Sequence, residues 1–273
     1  MTAAVAMGYL IDHHADFTVV QSPFTFNGQR TYGADSDGTT LAVAALLHRL
    51  SHEPVPRVTV PEGMDGDVVH WATGVETCDG ENDAMAWELY LGDEAIVVLA
   101  RHGAEVELHA LEVEVEVDPD FQNAITDAWV RELKETHVSQ GAYVSRPQYE
   151  EAAASRLGLE GQKTTSAVIW PPRYSSSASS MSTRTRLAAK GSVQSWTTLS
   201  AAGAPSEFSI RAPILGGITT VFMHLDEGPS GVFLTVDDEE NHLEFGQSME
   251  LVVRRVYAQE GFIRYGLKAR AIE

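Results

Sequence analysis

The side chains that could do chemistry in this chain are few and scattered. Cys78 is the single thiol. A nucleophilic cysteine needs electropositive surroundings and a nearby base. Here Glu76, Asp79, Glu81 and Asp83 surround it, and an acidic surround disfavours the thiolate, so it reads as structural. His13 and His14, flanked by Asp12 and Asp16, have metal-ligating side chains. Adjacent residues do not converge in regular structure and two distant ligands are still needed, so the pair reads as a solvated segment. Glu112, Glu114 and Glu116 read as the wet face of an edge strand. Gly216-Gly217 lacks phosphate-loop spacing and reads as a turn. The residues best suited to holding a ligand are Trp170, Arg173, Tyr174, Trp196 and Thr197, with Arg184, Arg186 and Lys190 as the nearest further cations. Arginine clamps a phosphate or carboxylate bidentately, and an aromatic face stacks on a flat ring such as adenine. The competing reading is packing: the two tryptophans join neighbouring substructures, and Pro171-Pro172-Arg173 is a rigid turn.

The elements that must position these residues fall into two halves. In the first, Phe17–Gln21 is a short strand and Asn27-Gly28 a turn. The run from Leu41 to Leu50 is a buried or amphipathic helix capped by a threonine and ended by Pro54 and Pro56. Residues 68–72 (VVHWA) read as a strand, residues 84–91 as helix or strand, and residues 93–100 (DEAIVVLA) as a buried strand. Val106–Val117 alternates apolar and acidic residues and predicts a strand with one buried face. Asp120–His137 is a helix, with Phe121, Ile125, Ala128, Trp129 and Leu133 at helical spacing and Asp118 or Asp120 near its start.

In the second half Gln148–Leu157 is helix-prone and 175–182 a serine-rich loop. Strands follow at 192–199, 207–214, 218–225, 231–236, 248–258 and 262–270, separated by turn signals. Short strands at such spacing predict a barrel.

Charge is divided between the halves. Residues 1–158 hold 27 acids and 8 bases, a net of −19, and residues 159–273 hold 12 acids and 11 bases, a net of −1. An acidic half repels phosphate backbones and argues against general nucleic-acid binding. No apolar run approaches a membrane span, and the first residues lack the basic start of a secretory signal. One cysteine fits a reducing cytoplasm.

The stretch 161–199 has a further pattern. Aligned on Trp170-Pro171-Pro172-Arg173, the positions Gln162, Thr165, Ser176 and Ser179 carry the spacing of the four ligands of a small zinc ribbon. None is a thiol, so no metal is expected there. After it comes Gly191-Ser192-Val193-Gln194-Ser195-Trp196-Thr197. The PPR and G-x-V-x-S-W-T motifs resemble the OB-fold proteins with an N-terminal rubredoxin-like ribbon that accompany thiolases, hydroxymethylglutaryl-CoA synthases and acyl-CoA hydratases as auxiliary subunits. The resemblance covers roughly 149–273. In the first half, residues 33–43 (GADSDGTTLAV), 89–99 (LYLGDEAIVVL) and 127–131 (DAWVR) are similar, in order, to segments of hydroxymethylglutaryl-CoA synthase-like thiolase folds. The nucleophilic cysteine of such enzymes has no counterpart between residues 50 and 68.

The expected fold is α+β: a truncated, degenerate thiolase-like α/β domain over 1–145, a helix plus a metal-free degenerate zinc ribbon over 146–186, and a C-terminal OB-fold barrel over 187–273. The resemblance implies a cytoplasmic, non-catalytic auxiliary subunit of a thiolase-like or hydroxymethylglutaryl-CoA synthase-like complex, with a homodimer as a further form of assembly. It implies contact with CoA or acyl-CoA at Trp170, Arg173, Tyr174, Trp196, Thr197, Arg184 and Arg186, with no catalytic residue, no tightly bound cofactor, no zinc, no nucleic acid and no membrane. The alternatives are an acyl-CoA transferase, lyase or hydratase active only in a hetero-complex, using His70, His109 or His137, and a single-stranded nucleic-acid-binding OB module.

Overall fold

The computed structural model describes residues 4–78, 86–109, 111, 114–134, 145–173, 182–239 and 242–272. The chain divides into two compact units, residues 1–123 and 124–273.

The first unit is a mixed sheet with helices. Its elements are β1 (Ala4–Ala6), β2 (Tyr9–His13), β3 (Phe17–Gln21), β4 (Phe24–Phe26), β5 (Gln29–Arg30), α1 (Gly38–Leu50), β6 (Arg57–Thr59), α2 (Gly66–Thr73), β7 (Glu76–Cys78), β8 (Trp87–Leu91), β9 (Ile96–Arg101) and β10 (Val115–Glu116). Seven strands form one sheet in the order β1-β2-β3-β9-β8-β6-β7. β6 pairs in parallel with both β7 and β8, and the remaining pairs are antiparallel. Helix α1 packs on β3 and β9. It buries Leu41 to Leu46 without a break, which is why its apolar pattern runs all round rather than along one stripe.

Three sequence expectations in this unit change. The cap of α1 is Asp37, not a threonine: its carboxylate accepts the Thr40 N–H at 3.0 Å, and the Thr40 hydroxyl accepts the Asp37 N–H at 2.9 Å. Thr40 thus completes a capping box. Residues 68–72 are not a strand but the middle of α2. Asp65 caps it by accepting the Val68 N–H at 3.0 Å, and Gly74 ends it in the left-handed region at φ 76°. Two boundary residues outweighed a short β-branched run. Among its described residues the alternating stretch 106–117 yields only the two-residue β10, paired in parallel with β4. Leu108 is 53% exposed and Val115 46%. The Gln21 side chain donates to the His109 carbonyl at 2.9 Å and Arg30 donates to the Leu111 carbonyl, so side chains take up groups that a ladder would have used. Glu112 lies outside the described residues.

Helix α3 (Pro119–Lys134) begins at Asp118, whose carboxylate accepts the Phe121 N–H at 2.8 Å. The second unit continues with α4 (Arg146–Leu157), β11 (Glu160–Lys163), β12 (Val168–Ile169), β13 (Thr183–Arg186), β14 (Lys190–Leu199), β15 (Ile218–Leu225), β16 (Ser230–Thr235), β17 (Ser248–Gln259) and β18 (Phe262–Ala271). β12-β11-β13 form a small antiparallel sheet. β14-β15-β16-β18-β17 close into a five-stranded barrel, in which only β16 and β18 run parallel. The barrel is OB-like in strand number and closure. Its interior holds Val193, Val221, Met223, Leu225, Phe233, Met249, Leu251 and Ala269, each supplied by inward positions of alternating strands. Among the described residues no helix is long and apolar enough to cross a membrane.

The strand expected over 207–214 is absent. Residues 206–208 form a 3-10 turn, and the Ala212 and Leu215 N–H groups bond back to Phe208 and Arg211. Phe208 and Ala212 are buried against Ile218. Pro205 and Pro213 bracket the segment, and prolines cannot donate to a central ladder.

Candidate functional site

Helix α4, the Trp170 turn and strands β16 to β18 enclose a cavity of about 290 Å³. Its position is fixed by α4. Ser145 and Gln148 form the capping box that starts the helix, and Tyr149 then locks it to β18. The Tyr149 hydroxyl accepts the Tyr265 N–H at 3.1 Å and donates to the Tyr265 carbonyl at 3.2 Å. Six residues further along α4, Ser155 supplies the carbonyl to which the Trp170 indole donates at 2.7 Å. The Trp170 ring stacks on Phe233 with centroids 5.7 Å apart. A Cβ at Gly231 would stand 2.9 Å from the Trp170 ring and 2.8 Å from Phe233, so this glycine admits the stack. The Trp170–Pro171 peptide is cis.

The polar centre of the cavity is Arg264. It stands opposite Tyr257 in the β17–β18 register, next to a bulge between Arg255 and Tyr257 that turns Val256 towards the cavity. Arg264 is only 3% exposed, and its guanidinium carbon lies 5.0 Å from the Tyr149 ring. Its Nε and Nη2 are buried without a hydrogen-bond partner among the described residues. A buried cation with unmet donors costs several kcal/mol relative to a satisfied one. Arg156 lines the same cavity. Burial pushes the Tyr257 hydroxyl above its ordinary value, while the positive fields of Arg264 and Arg156 pull it down. The cavity therefore offers aromatic and aliphatic walls, two guanidinium groups and a protonated phenol. That combination suits an anionic group attached to an apolar body.

The sequence candidates divide. Trp170 lines this cavity. Arg184 lines a separate, larger one of about 580 Å³ beside α4, together with Arg156 and Pro172. Its charge faces Glu160 at 3.5 Å. Arg173 and Arg186 are exposed. Trp196, 45% exposed, and Thr197 lie on β14 opposite Val221 and Thr220 and line neither cavity. Tyr174 lies outside the described residues. Arg264, Arg156 and Tyr257 were missed by sequence reasoning. Cations inside the strand pattern of 262–270, Arg264 among them, were the available signal.

Of the four ribbon positions, Gln162 is 8% exposed and acts as a cross-link. Its amide donates to the Ser182 hydroxyl at 3.0 Å and accepts the Arg173 N–H at 3.1 Å. Thr165 is an exposed turn residue, and that turn is closed by the Thr164 hydroxyl, which accepts the Ala167 N–H at 3.1 Å. Ser176 and Ser179 lie outside the described residues.

Cys78 is half-buried, with the Thr59 hydroxyl 3.8 Å from its sulfur. The His70 Nδ1 is 2.8 Å from the Val75 carbonyl, so it closes the end of α2. His109 is exposed, and His137 lies outside the described residues. Glu116 accepts the Thr25 hydroxyl at 2.9 Å. His13, expected in a solvated segment, is instead half-buried against His48 and His52.

Neither a protein-family model nor a curated protein matches this sequence. Among solved structures the chain is similar to a chain of the Ltp2-ChsH2(DUF35) aldolase at 18% identity and a TM-score of 0.32. The alignment covers 48% of this chain and 98% of that one.

Proposed function

We propose that this chain is a non-catalytic auxiliary subunit of a thiolase-like or hydroxymethylglutaryl-CoA synthase-like acyl-CoA complex, whose barrel unit contacts the partner and an anionic part of the acyl-CoA. The observation that carries this reading is the buried Arg264, which lines an aromatic-walled cavity and has two guanidinium donors without acceptors among the described residues. A carboxylate or phosphate satisfies those donors, and the apolar walls accept what the anion is attached to. Beside the cavity, Phe222 and Val232 are register partners on β15 and β16, and both point outward, 42% and 66% exposed. Adjacent exposed apolar side chains at a cavity mouth suit a partner surface. The PPR and G-x-V-x-S-W-T motifs supply the acyl-CoA and thiolase part of the reading. Trp170 is its best-placed aromatic contact. We assign Arg173, Arg184, Arg186, Trp196 and Thr197 to partner contact in this reading, since none of them lines the Arg264 cavity.

The test is isolation of the tagged chain from its host at native salt, native mass measurement, and titration of the resulting complex with acetyl-CoA. A stoichiometric thiolase-like partner is expected. Arg264→Met should keep the assembly and weaken acetyl-CoA binding at least tenfold. Recovery of the chain alone, together with acetyl-CoA binding that is absent or indifferent to Arg264→Met, refutes the reading.

A further inference from the structure

His13 ends β2, and His48 and His52 lie four residues apart at the C-terminal end of α1. The helical path continues beyond Leu50, because the His52 and Glu53 N–H groups both bond to the Arg49 carbonyl at 2.9 Å. Residues four apart on such a path share one face, and that face meets β2. The three rings converge. Centroids are 5.1 Å apart for His13 and His48, 4.3 Å for His13 and His52, and 4.8 Å for His48 and His52. One ring nitrogen of each lies within 4.8 Å of the others.

The surroundings select tautomers that leave Nε2 unprotonated on His52 and His13, the latter facing Arg49. The His52 Nδ1 is 2.9 Å from the His48 carbonyl oxygen, which only accepts, so Nδ1 carries the proton and Nε2 the lone pair. The His13 Nε2 is 3.5 Å from an Arg49 guanidinium nitrogen, which only donates, so this Nε2 also carries a lone pair, and Nδ1 faces the Thr18 hydroxyl at 3.3 Å. Neither ring nitrogen of His48 has a hydrogen-bond partner among the described residues. A ligating histidine characteristically has its second nitrogen held by a carbonyl or hydroxyl in this way. The Arg49 charge is matched by Glu53 at 2.9 Å.

We propose that His13, His48 and His52 form a three-imidazole site for one divalent transition-metal ion of the zinc class, pinning the end of α1 to β2 and leaving a fourth position open. Tetrahedral zinc with nitrogen ligands at about 2.0–2.1 Å places those nitrogens roughly 3.4 Å apart. The spread of up to 4.8 Å is wider than that, and His48, half-buried, and His52, exposed, are not sealed in the core and can turn inward. Imidazole ligands suit zinc, cobalt, nickel and copper, and exclude magnesium and calcium.

The test uses the untagged full-length protein, stripped with a chelator and titrated with zinc chloride by calorimetry. Cobalt(II) serves as a spectroscopic probe of tetrahedral coordination. The expected result is one equivalent of zinc, an intense visible cobalt spectrum, and a melting temperature raised by zinc. His52→Gln, at an exposed position, should leave the metal-free melting temperature unchanged and weaken zinc at least tenfold. His48→Ala/His52→Ala should abolish the cobalt spectrum. Stoichiometry below one, or zinc affinity equal to wild type in His52→Gln, overturns the proposal and assigns the three rings to packing alone.

Discussion

Replacing Arg211 with methionine tests what holds the second unit together. Arg211 is 1% exposed and so is its partner Glu132, with 2.7 Å between Arg211 Nε and Glu132 Oε1. The same guanidinium reaches Asp237 at 3.2 Å, donates to the Val256 carbonyl, and lies 4.0 Å above the Trp129 ring. Methionine keeps the length and the contact with Trp129 but removes every donor. Asp237 retains Lys268 at 2.7 Å, whereas among the described residues Glu132 is left with only the Ala258 N–H at 3.3 Å. Breaking one side of a buried pair costs about 3–5 kcal/mol. With a urea slope of about 2 kcal/mol per M, the unfolding midpoint followed by tryptophan emission falls by about 2 M. The loss also has a pH signature. Burial already outweighs the pull of Arg211 and holds the Glu132 carboxyl above its ordinary value, and removing Arg211 raises it further. A carboxyl raised in the folded state destabilises that state where it is ionised, and the penalty fades as pH falls through its folded value. The gap between wild type and Arg211→Met should therefore narrow from pH 7 to pH 5. A midpoint shift below about 0.5 M at pH 7, or a gap equal at both pH values, refutes the reasoning.

Substitutions at two further positions probe the barrel and the cap of α1. A Cβ at Gly191 would lie 2.3 Å from the His224 carbonyl oxygen, at the point where β14 pairs with both β15 and β17. Gly191→Ala should lower barrel stability by about 2–3 kcal/mol, read by urea unfolding, because backbone rather than a pliable side chain must move. Asp37→Ala removes the cap of α1 and should cost about 1 kcal/mol, whereas Asp37→Asn should change stability by only a few tenths. Thermal melting of the two variants side by side checks the contrast.

Much of the second unit was legible because its physics is local. The runs at 218–225, 248–258 and 262–270 read as strands separated by turn signals. The observed boundaries of β15, β17 and β18 lie within a residue or so of that pattern. The motif around Gly191 and Trp196 also had a structural reason waiting in it: Gly191 admits the His224 carbonyl. Where sequence reading failed, one cause was local capping and the other was non-local groups. Residues 68–72 look β-branched, but Asp65 and Gly74 bracket one helix. Residues 106–117 alternate, but Gln21 and Arg30 reach in from elsewhere in the chain and occupy the carbonyls.

By itself, the sequence determined which half carries the acid, that the later half closes as a barrel of short strands, and that Trp170 belongs at a junction. These follow from composition, period and turn chemistry, which act over a few residues. Only the tertiary structure decided the sites. Arg264 becomes a candidate anion ligand because strand pairing sets it opposite Tyr257 and α4 closes over it. His13 becomes more than a solvated residue because β2 runs alongside the end of α1, bringing together rings 35 and 39 positions apart in sequence. Convergence across such separations depends on how sheets and helices pack, and no local pattern of residues encodes it.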